Sequence, residues 1–113
     1  MICLKRIYEG YDTGDGFRIL TDRLWPRGIK KESAHIDLWM KEIAPSTELR
    51  KWFNHDPAKW TMFKKRYKQE LIHSDSLTEL KKISKAKKKI TLLYAAREEA
   101  YVHTRLLMEL LEG

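Results

Sequence analysis

The chain has 113 residues, of which 42% are hydrophobic and 35% are charged, a composition typical of folded globular proteins and not of disordered ones. No apolar run reaches the roughly 18 residues of a membrane span, and the charged start of the chain lacks a signal-peptide layout, so we expect a cytoplasmic protein without membrane partners. The net charge of +7 favours acidic partners, and the single cysteine, Cys3, excludes an internal disulfide.

The first part of the chain predicts two strands and a loop. Ile2 to Tyr8 and Phe17 to Thr21 are strand-like runs separated by a turn rich in Gly and Asp, and they form either a hairpin or separate strands of one sheet. Asp22 to Lys31 then reads as a loop. Ser33 to Ile43 is ambiguous, because its apolar residues fit one face of a short helix.

The rest of the chain predicts four helices and one buried strand. Ser46 caps a short helix that ends near Phe53, and Asp56-Pro57 begins a longer one that extends past Leu71. Ser76 to Glu79 forms a capping box that begins a third helix. Ile90 to Ala95 is a nearly continuous apolar run, as in a strand covered on both faces, and Ala100 to Leu111 predicts the last helix.

This order of elements predicts a single α/β domain over residues 1–113, with a short, largely parallel sheet flanked by helices. In such sheets, ligands bind outside the carboxyl ends of the strands. Two polar clusters follow strand ends, one beginning at Asp22 and the other running from Tyr94 to Glu98. We expect these two strands to be parallel neighbours, which would bring both clusters into one crevice.

The first cluster combines an acid, two arginines and a tryptophan. Arg23 and Arg27 carry planar forks that suit phosphate or carboxylate, Trp25 offers a stacking wall, and Asp22 can orient an arginine or act as a base. The structural alternative is an internal salt bridge from Asp22 to an arginine, with Trp25 in the core.

Two further groups of side chains are candidates for the same site. They are Lys41, Arg50, Lys51, Trp52 and His55 around the short helix, and Tyr94, Arg97 and His103 after the buried strand. The turn after that strand, Arg97-Glu98-Glu99, also offers backbone N–H groups to an anion. In the structural alternatives, His55 is only a helix-dipole partner, Tyr94 packs in the core and His103 faces solvent.

Other kinds of site receive little support from the sequence. No cysteine pair or His-Glu-x-x-His motif exists, and the histidines are far apart, at His35, His55, His73 and His103, so neither a metal nor a cofactor is expected. A run of lysines, here called the lysine-rich face, is a weaker candidate for binding nucleic acid or an acidic protein, although such a run is more often only a solvated surface. The lysine-rich face comprises Lys81, Lys82, Lys85, Lys87, Lys88 and Lys89.

An ordered series of motifs extends through nearly the whole chain. It comprises Asp22-Arg23-Leu24-Trp25-Pro26-Arg27-Gly28, Leu38 to Ser46, Glu48 to Phe53, His55-Asp56-Pro57, Trp60, Phe63, Arg66-Tyr67, Glu70-Leu71 and Thr91 to Ala96. This series resembles the YeaO-like branch of the domain-of-unknown-function 488 family. The resemblance implies a small intracellular α/β domain and no established activity.

The chain departs from that family pattern near its last helix. Members of the branch commonly carry a His-Asn pair where this chain has Tyr101-Val102, while His103 remains as a polar member. Relatives outside the branch carry cysteines at the positions of Tyr94 and Val102. The resemblance therefore implies no thiol chemistry for this chain.

Three hypotheses follow. In the first, a small anionic ligand of phosphorylated or nucleotide-like type binds at the strand ends, with hydrolase or transferase activity as a speculative extension. Its ligand-binding residues are Arg23, Trp25, Arg27, Lys41, Arg50, Trp52, Tyr94 and Arg97, and its proton carriers are Asp22, His55 and His103. In the second, the lysine-rich face binds nucleic acid or an acidic protein. In the third, the domain is structural, and the oligomeric state stays open in all three.

Overall fold

One parallel sheet organises the part of the chain that the computed structural model describes, residues 1–97 and 99–112. Its strands are β1 (Ile2–Arg6), β2 (Phe17–Leu20), β3 (Leu38–Trp39) and β4 (Ile90–Tyr94), in the spatial order β1-β4-β2-β3. The predicted α/β class is confirmed. The hairpin alternative is wrong, because β1 and β2 each pair in parallel with β4 and not with each other.

The central position of β4 explains its apolar sequence. All five of its residues are buried, with Leu92 paired to Leu4 on one side and to Ile19 on the other. The Thr21 N–H extends this ladder by donating to the carbonyl of Leu93 at 3.1 Å. The carboxyl ends of β2 and β4 therefore lie side by side at one edge of the sheet, as we predicted.

The helices are α1 (Thr47–Phe53), α2 (Trp60–Ile72), α3 (Asp75–Ala86) and α4 (His103–Glu112). Ser46 caps α1 as predicted, since its hydroxyl accepts from the Leu49 N–H at 3.1 Å. Asp56 accepts from the Ala58 N–H at 3.0 Å, but it caps the 3-10 turn Pro57–Lys59, and α2 begins after that turn at Trp60 and not at Pro57. No helix within residues 1–97 and 99–112 has the length and apolar character needed to cross a bilayer.

Three further predictions need correction. Helix α3 begins at Asp75 and not at Ser76, because Ser74 is its N-cap and accepts from the Ser76 N–H at 3.1 Å. Helix α4 begins at His103, three residues later than predicted. The ambiguous stretch from Ser33 to Ile43 contains β3 and short 3-10 turns, since its backbone pairs with the outer edge of β2.

The two faces of the sheet are covered differently. Residues from all four helices pack with Ile19 and Leu92 on one face. On the other face, Leu20 and Leu93 pack under the Asp22–Ile36 segment, including Trp25. Neighbouring strand residues point to opposite faces, so these pairs assign the helices to one side and the long loop to the other.

A buried charge network ties the start of β2 to the surrounding loops. Arg18 is only 1% exposed and pairs with the carboxylate of Asp15, to which Lys5 also donates at 3.1 Å. The Arg18 guanidinium also donates to the carbonyls of Ala34 at 3.2 Å and His35 at 3.0 Å. Burial alone would raise the pKa of Asp15, but the hydrogen bonds from Lys5 and Arg18 lower it below its usual value.

Candidate functional site

A cavity of about 610 Å³ opens where β2 and β4 end. Its polar and charged lining residues are Tyr8, Asp22, Arg23, Trp25, Arg27, Thr47, Arg50, Lys51, His55, Tyr101 and His103. The two predicted clusters meet here, because the carboxylate of Asp22 accepts from the Ala95 N–H at 2.9 Å. The volume lies within the range of about 300–1,000 Å³ that is usual for small-molecule sites.

His103 lies at the floor of the cavity and is fixed by the end of β2. Its Nε2 atom lies 3.0 Å from the carbonyl oxygen of Thr21 and 3.1 Å from the Thr21 hydroxyl. The Thr21 hydroxyl itself donates to the Leu93 carbonyl at 3.0 Å. Because a carbonyl only accepts, Nε2 carries a hydrogen and donates it to Thr21. This contact corrects the alternative in which His103 only faces solvent.

Asp22 is the acidic neighbour of His103, with its Oδ1 atom 3.5 Å from Nε2. Burial raises the pKa of Asp22, while the charge of His103 and the Ala95 N–H oppose that rise. Burial also lowers the pKa of His103, against the attraction of Asp22 and the bond to Thr21. Both shifts favour the neutral forms, so the proton affinities of the two groups lie closer together than in water, as they do in many functional sites.

The lowered pKa of His103 makes a prediction about stability. Below its ordinary value of about 6.5, the unfolded chain protonates this histidine while the folded chain resists, so stability is lost as the pH falls. For one such group, the free energy of unfolding changes by at most about 1.4 kcal/mol per pH unit. We expect the wild type to lose stability relative to His103→Gln between pH 7 and pH 5.5, with a slope no steeper than this maximum.

Urea denaturation at several pH values measures that difference. The exposed His73, changed to Gln, is the matched control and should follow the wild type. Parallel pH dependence of the wild type and His103→Gln would show that burial does not suppress protonation of His103.

Arg23 is held by the backbone of the segment before α1. Its Nη2 atom donates to the Ala44 carbonyl at 3.0 Å, and its Nε atom approaches the Pro45 carbonyl at 3.4 Å. Within residues 1–97 and 99–112, Arg23 forms no ion pair, so the alternative of a salt bridge between Asp22 and Arg23 does not hold. Two carbonyls thus orient the guanidinium, and its Nη1 atom forms no hydrogen bond with the described residues.

Three more cations stand at the rim of the cavity, namely Arg27, Arg50 and Lys51, and all three are exposed. In the part of the chain that the structure describes, none of them pairs with a carboxylate. The loop that carries Arg27 is anchored by the Tyr8 hydroxyl, which donates to the Arg27 carbonyl at 2.8 Å. The mouth of the cavity therefore carries concentrated positive charge.

His55 reaches the cavity through an unusual backbone turn. Asn54 and His55 follow α1 with φ values of 45° and 54°. Residues other than glycine seldom adopt this left-handed backbone conformation. The His55 ring lies 5.8 Å from the ring of Phe53. Two such residues in succession place His55 at the rim at some cost in backbone strain, a feature that concentrates at functional sites.

Aromatic side chains form part of the cavity wall. Phe53 and Phe63 stack with their ring centroids 4.2 Å apart, and both line the cavity. Trp25 lines it as well, while its indole N–H donates to the Ile29 carbonyl at 2.7 Å and its ring contacts Trp39 edge-on at 5.3 Å. Trp25 is therefore both a loop anchor and a wall of the cavity.

Four of the predicted ligand-binding residues are not among those that line the cavity: Lys41, Trp52, Tyr94 and Arg97. The Trp52 ring lies under the guanidinium of Arg66, at 4.3 Å, and Tyr94 is buried, with its pKa raised mainly by that burial. The alternative of Tyr94 as a core residue thus holds. Arg97 is exposed in the bend after β4, and the next residue of the predicted turn, Glu98, lies outside the described residues.

The sequence interpretation missed the apolar half of the lining. Phe53, Phe63 and Val102 contribute to the cavity, but their helical or core-like spacing is the same as that of ordinary core residues. Thr21 was treated only as the end of a strand. A polar residue at the last position of a buried strand was the available signal for it.

The lysine-rich face lies at the other end of the sheet. Its residues occupy the second half of α3 and the loop that leads into the first residue of β4. Because the strands are parallel, this loop and the cavity lie at opposite edges. Within residues 1–97 and 99–112, no group of His, Cys, Asp and Glu is arranged to hold a metal ion.

Sequence comparison provides the family. Residues 1–113 match a family profile described as "Inactive DUF488-N3 subclade". The chain belongs to this DUF488 family. The predicted resemblance to its YeaO-like branch is confirmed by the uncharacterized protein YeaO of Escherichia coli, which is 44% identical over 110 residues, covering 96% of this chain and 95% of YeaO.

A second DUF488 relative comes from Mycobacterium tuberculosis. This uncharacterized protein is 42% identical over 110 residues, covering 97% of this chain and 92% of its own length. No solved structure matches the chain.

Proposed function

We propose that the cavity binds a small anionic ligand with a planar group, of the size of a nucleoside monophosphate, and that it does so in the cytoplasm without chemical turnover. The observation that carries the proposal is the guanidinium of Arg23, which two backbone carbonyls orient inside the cavity. Three cations at the rim have no carboxylate partner among the described residues. The proposal covers binding alone and includes neither hydrolase nor transferase activity.

The charges support an anionic ligand. Arg23 is already ordered, so binding an anion costs little of the side-chain entropy that a free arginine would lose. Arg27, Arg50 and Lys51 have no carboxylate partner in the described residues that an anion would have to displace. Cations gathered at the mouth of a low-dielectric cleft also attract anions from solution.

The aromatic wall of the cavity favours a ligand that has a planar group. Phe53, Phe63 and Trp25 supply aromatic surface next to the cations. Burial of a planar group against such rings adds affinity that inorganic anions cannot gain. A phosphorylated nucleoside combines the two features, and the cavity of about 610 Å³ is large enough for it.

The chemistry at the floor supports binding and not catalysis. The Nε2 hydrogen of His103 is committed to Thr21. The family resemblance also implies that Tyr94 and Val102 replace cysteines of relatives outside the branch. The description of the matched subclade as inactive agrees with this proposal.

Calorimetric titration with inorganic phosphate and with nucleoside monophosphates tests the proposal. We expect the double variant Arg50→Gln, Lys51→Gln to lose about tenfold or more in affinity, because hydrogen bonds to charged groups contribute about 1.5–3 kcal/mol each. The matched control, Lys81→Gln with Lys82→Gln, removes two exposed helical cations from the lysine-rich face. Absence of binding, or an equal loss in both double variants, would overturn the proposal.

A further inference from the structure

Asp22 brings a carboxylate into a cavity that we propose binds anions. Among the described residues that line it, Asp22 is the one carboxylate, and the other charged groups are cationic. A carboxylate repels a phosphate, so a ligand in this cavity would present a different part to Asp22. Arg50 and His55 lie close enough to lower the pKa of Asp22 by their charge.

The described residues use only part of the hydrogen-bonding capacity of the Asp22 carboxylate. Its Oδ2 atom accepts from the Ala95 N–H at 2.9 Å, while its Oδ1 atom is 3.5 Å from Nε2 of His103, whose hydrogen is donated to Thr21. An ionised carboxylate offers about four acceptor sites, so both oxygens can accept further hydrogen bonds. The Asp22 side chain keeps 19% of its surface exposed, which makes it accessible from the cavity.

We propose that Asp22 accepts two N–H donors from a guanine base, so that the ligand is a guanine nucleotide whose phosphate contacts the cations at the rim. This inference rests on the proposed function. Guanine carries its N1–H and its 2-amino group side by side, which matches the two oxygens of a carboxylate. Adenine and cytosine place an acceptor next to their amino group, and that acceptor would face the negative charge of Asp22.

The aromatic wall fits the same arrangement. Phe53, Phe63 and Trp25 contribute the flat apolar surface that a purine needs. Stacking of this kind tolerates any base, since every base has a π-face. Asp22 is therefore the residue that discriminates between bases.

Titration calorimetry with GMP, IMP, AMP and inorganic phosphate tests this inference on the whole chain. IMP lacks only the 2-amino group, so we expect it to bind about tenfold more weakly than GMP, and AMP more weakly still. Asp22→Asn should lower the affinity for GMP about tenfold or more without lowering the affinity for phosphate, because asparagine keeps an oxygen for the Ala95 N–H and removes a charge that repels the anion.

Xanthosine monophosphate supplies a second readout. Its 2-oxo group faces where guanine has an amine, so the amide of Asp22→Asn should bind it better than the wild type does. A misfolded variant could not gain affinity in this way. Equal affinities of the wild type for GMP, IMP and AMP would overturn the role of Asp22 in base choice and leave the anion site intact. Absence of binding by phosphate and by all nucleotides would overturn the proposed function as well.

Discussion

Replacing Asp15 with Asn is expected to lower the free energy of unfolding by about 3–5 kcal/mol, because it removes one partner of a buried ion pair. Arg18 is 1% exposed and would keep its charge without a carboxylate opposite it. Lys5 would lose the same partner, at 3.1 Å. Equilibrium denaturation with urea measures the loss.

Two further variants show whether the loss comes from the unpaired charge. In the double variant Asp15→Asn, Arg18→Met the buried charge is gone, so we expect much of the stability to return. Glu79→Gln removes a carboxylate from the exposed surface of α3 and should change stability by no more than about 0.5 kcal/mol. A loss below about 1 kcal/mol for Asp15→Asn would contradict the account of this network.

Replacing Phe63 with Ala is expected to cost about 3–5 kcal/mol of stability, as large-to-small changes in a core do. Phe63 is 2% exposed, and its ring stacks on Phe53 at 4.2 Å and on Trp60 at 5.6 Å. The same change removes part of the cavity wall. Urea denaturation measures the first effect, and nucleotide titration should show weaker binding where the variant remains folded.

The neighbouring residue provides the control for this change. Met62 is 46% exposed on the same helix, so Met62→Ala keeps the chain position while deleting little buried surface. We expect it to cost less than about 1 kcal/mol. Equal losses for Met62→Ala and Phe63→Ala would mean that Phe63 is not a core residue.

Local signals in the sequence predicted that all four helices exist and where α1 begins, whereas strand pairing depends on residues that are distant along the chain. Ser46 caps α1 and Asp56 caps the 3-10 turn before α2, so a few neighbouring residues determine where each of these two elements begins. Strand β3 was missed because it depends on a distant partner. Its neighbours Asp37 and Met40 donate backbone hydrogen bonds to β2 at 2.9 Å, and nothing in the local spacing indicates that edge.

In the candidate site, too, the sequence predicted some of the residues and could not predict others. Charged residues after β2 were recognisable because dense charge beside a strand end is unusual in a core. The sequence could not show that Arg23 would bind the carbonyls of Ala44 and Pro45 in place of a carboxylate. Nor could it separate Phe53, which lines the cavity, from Trp52, which lies beneath Arg66 outside it. Adjacent residues of one helix point in different directions, and only the packing decides which one reaches the ligand.

The position of a bound nucleotide tests the central claim most directly. In ¹H–¹⁵N NMR spectra recorded during titration with GMP, we expect the largest shifts at the amides of Ala95 and Val102 and at the side-chain Nε–H of Arg23. The lysine-rich face, at the far edge of the sheet, should keep its signals unchanged. Shifts confined to that face, with the cavity signals unmoved, would contradict the account and favour the alternative site on the lysines.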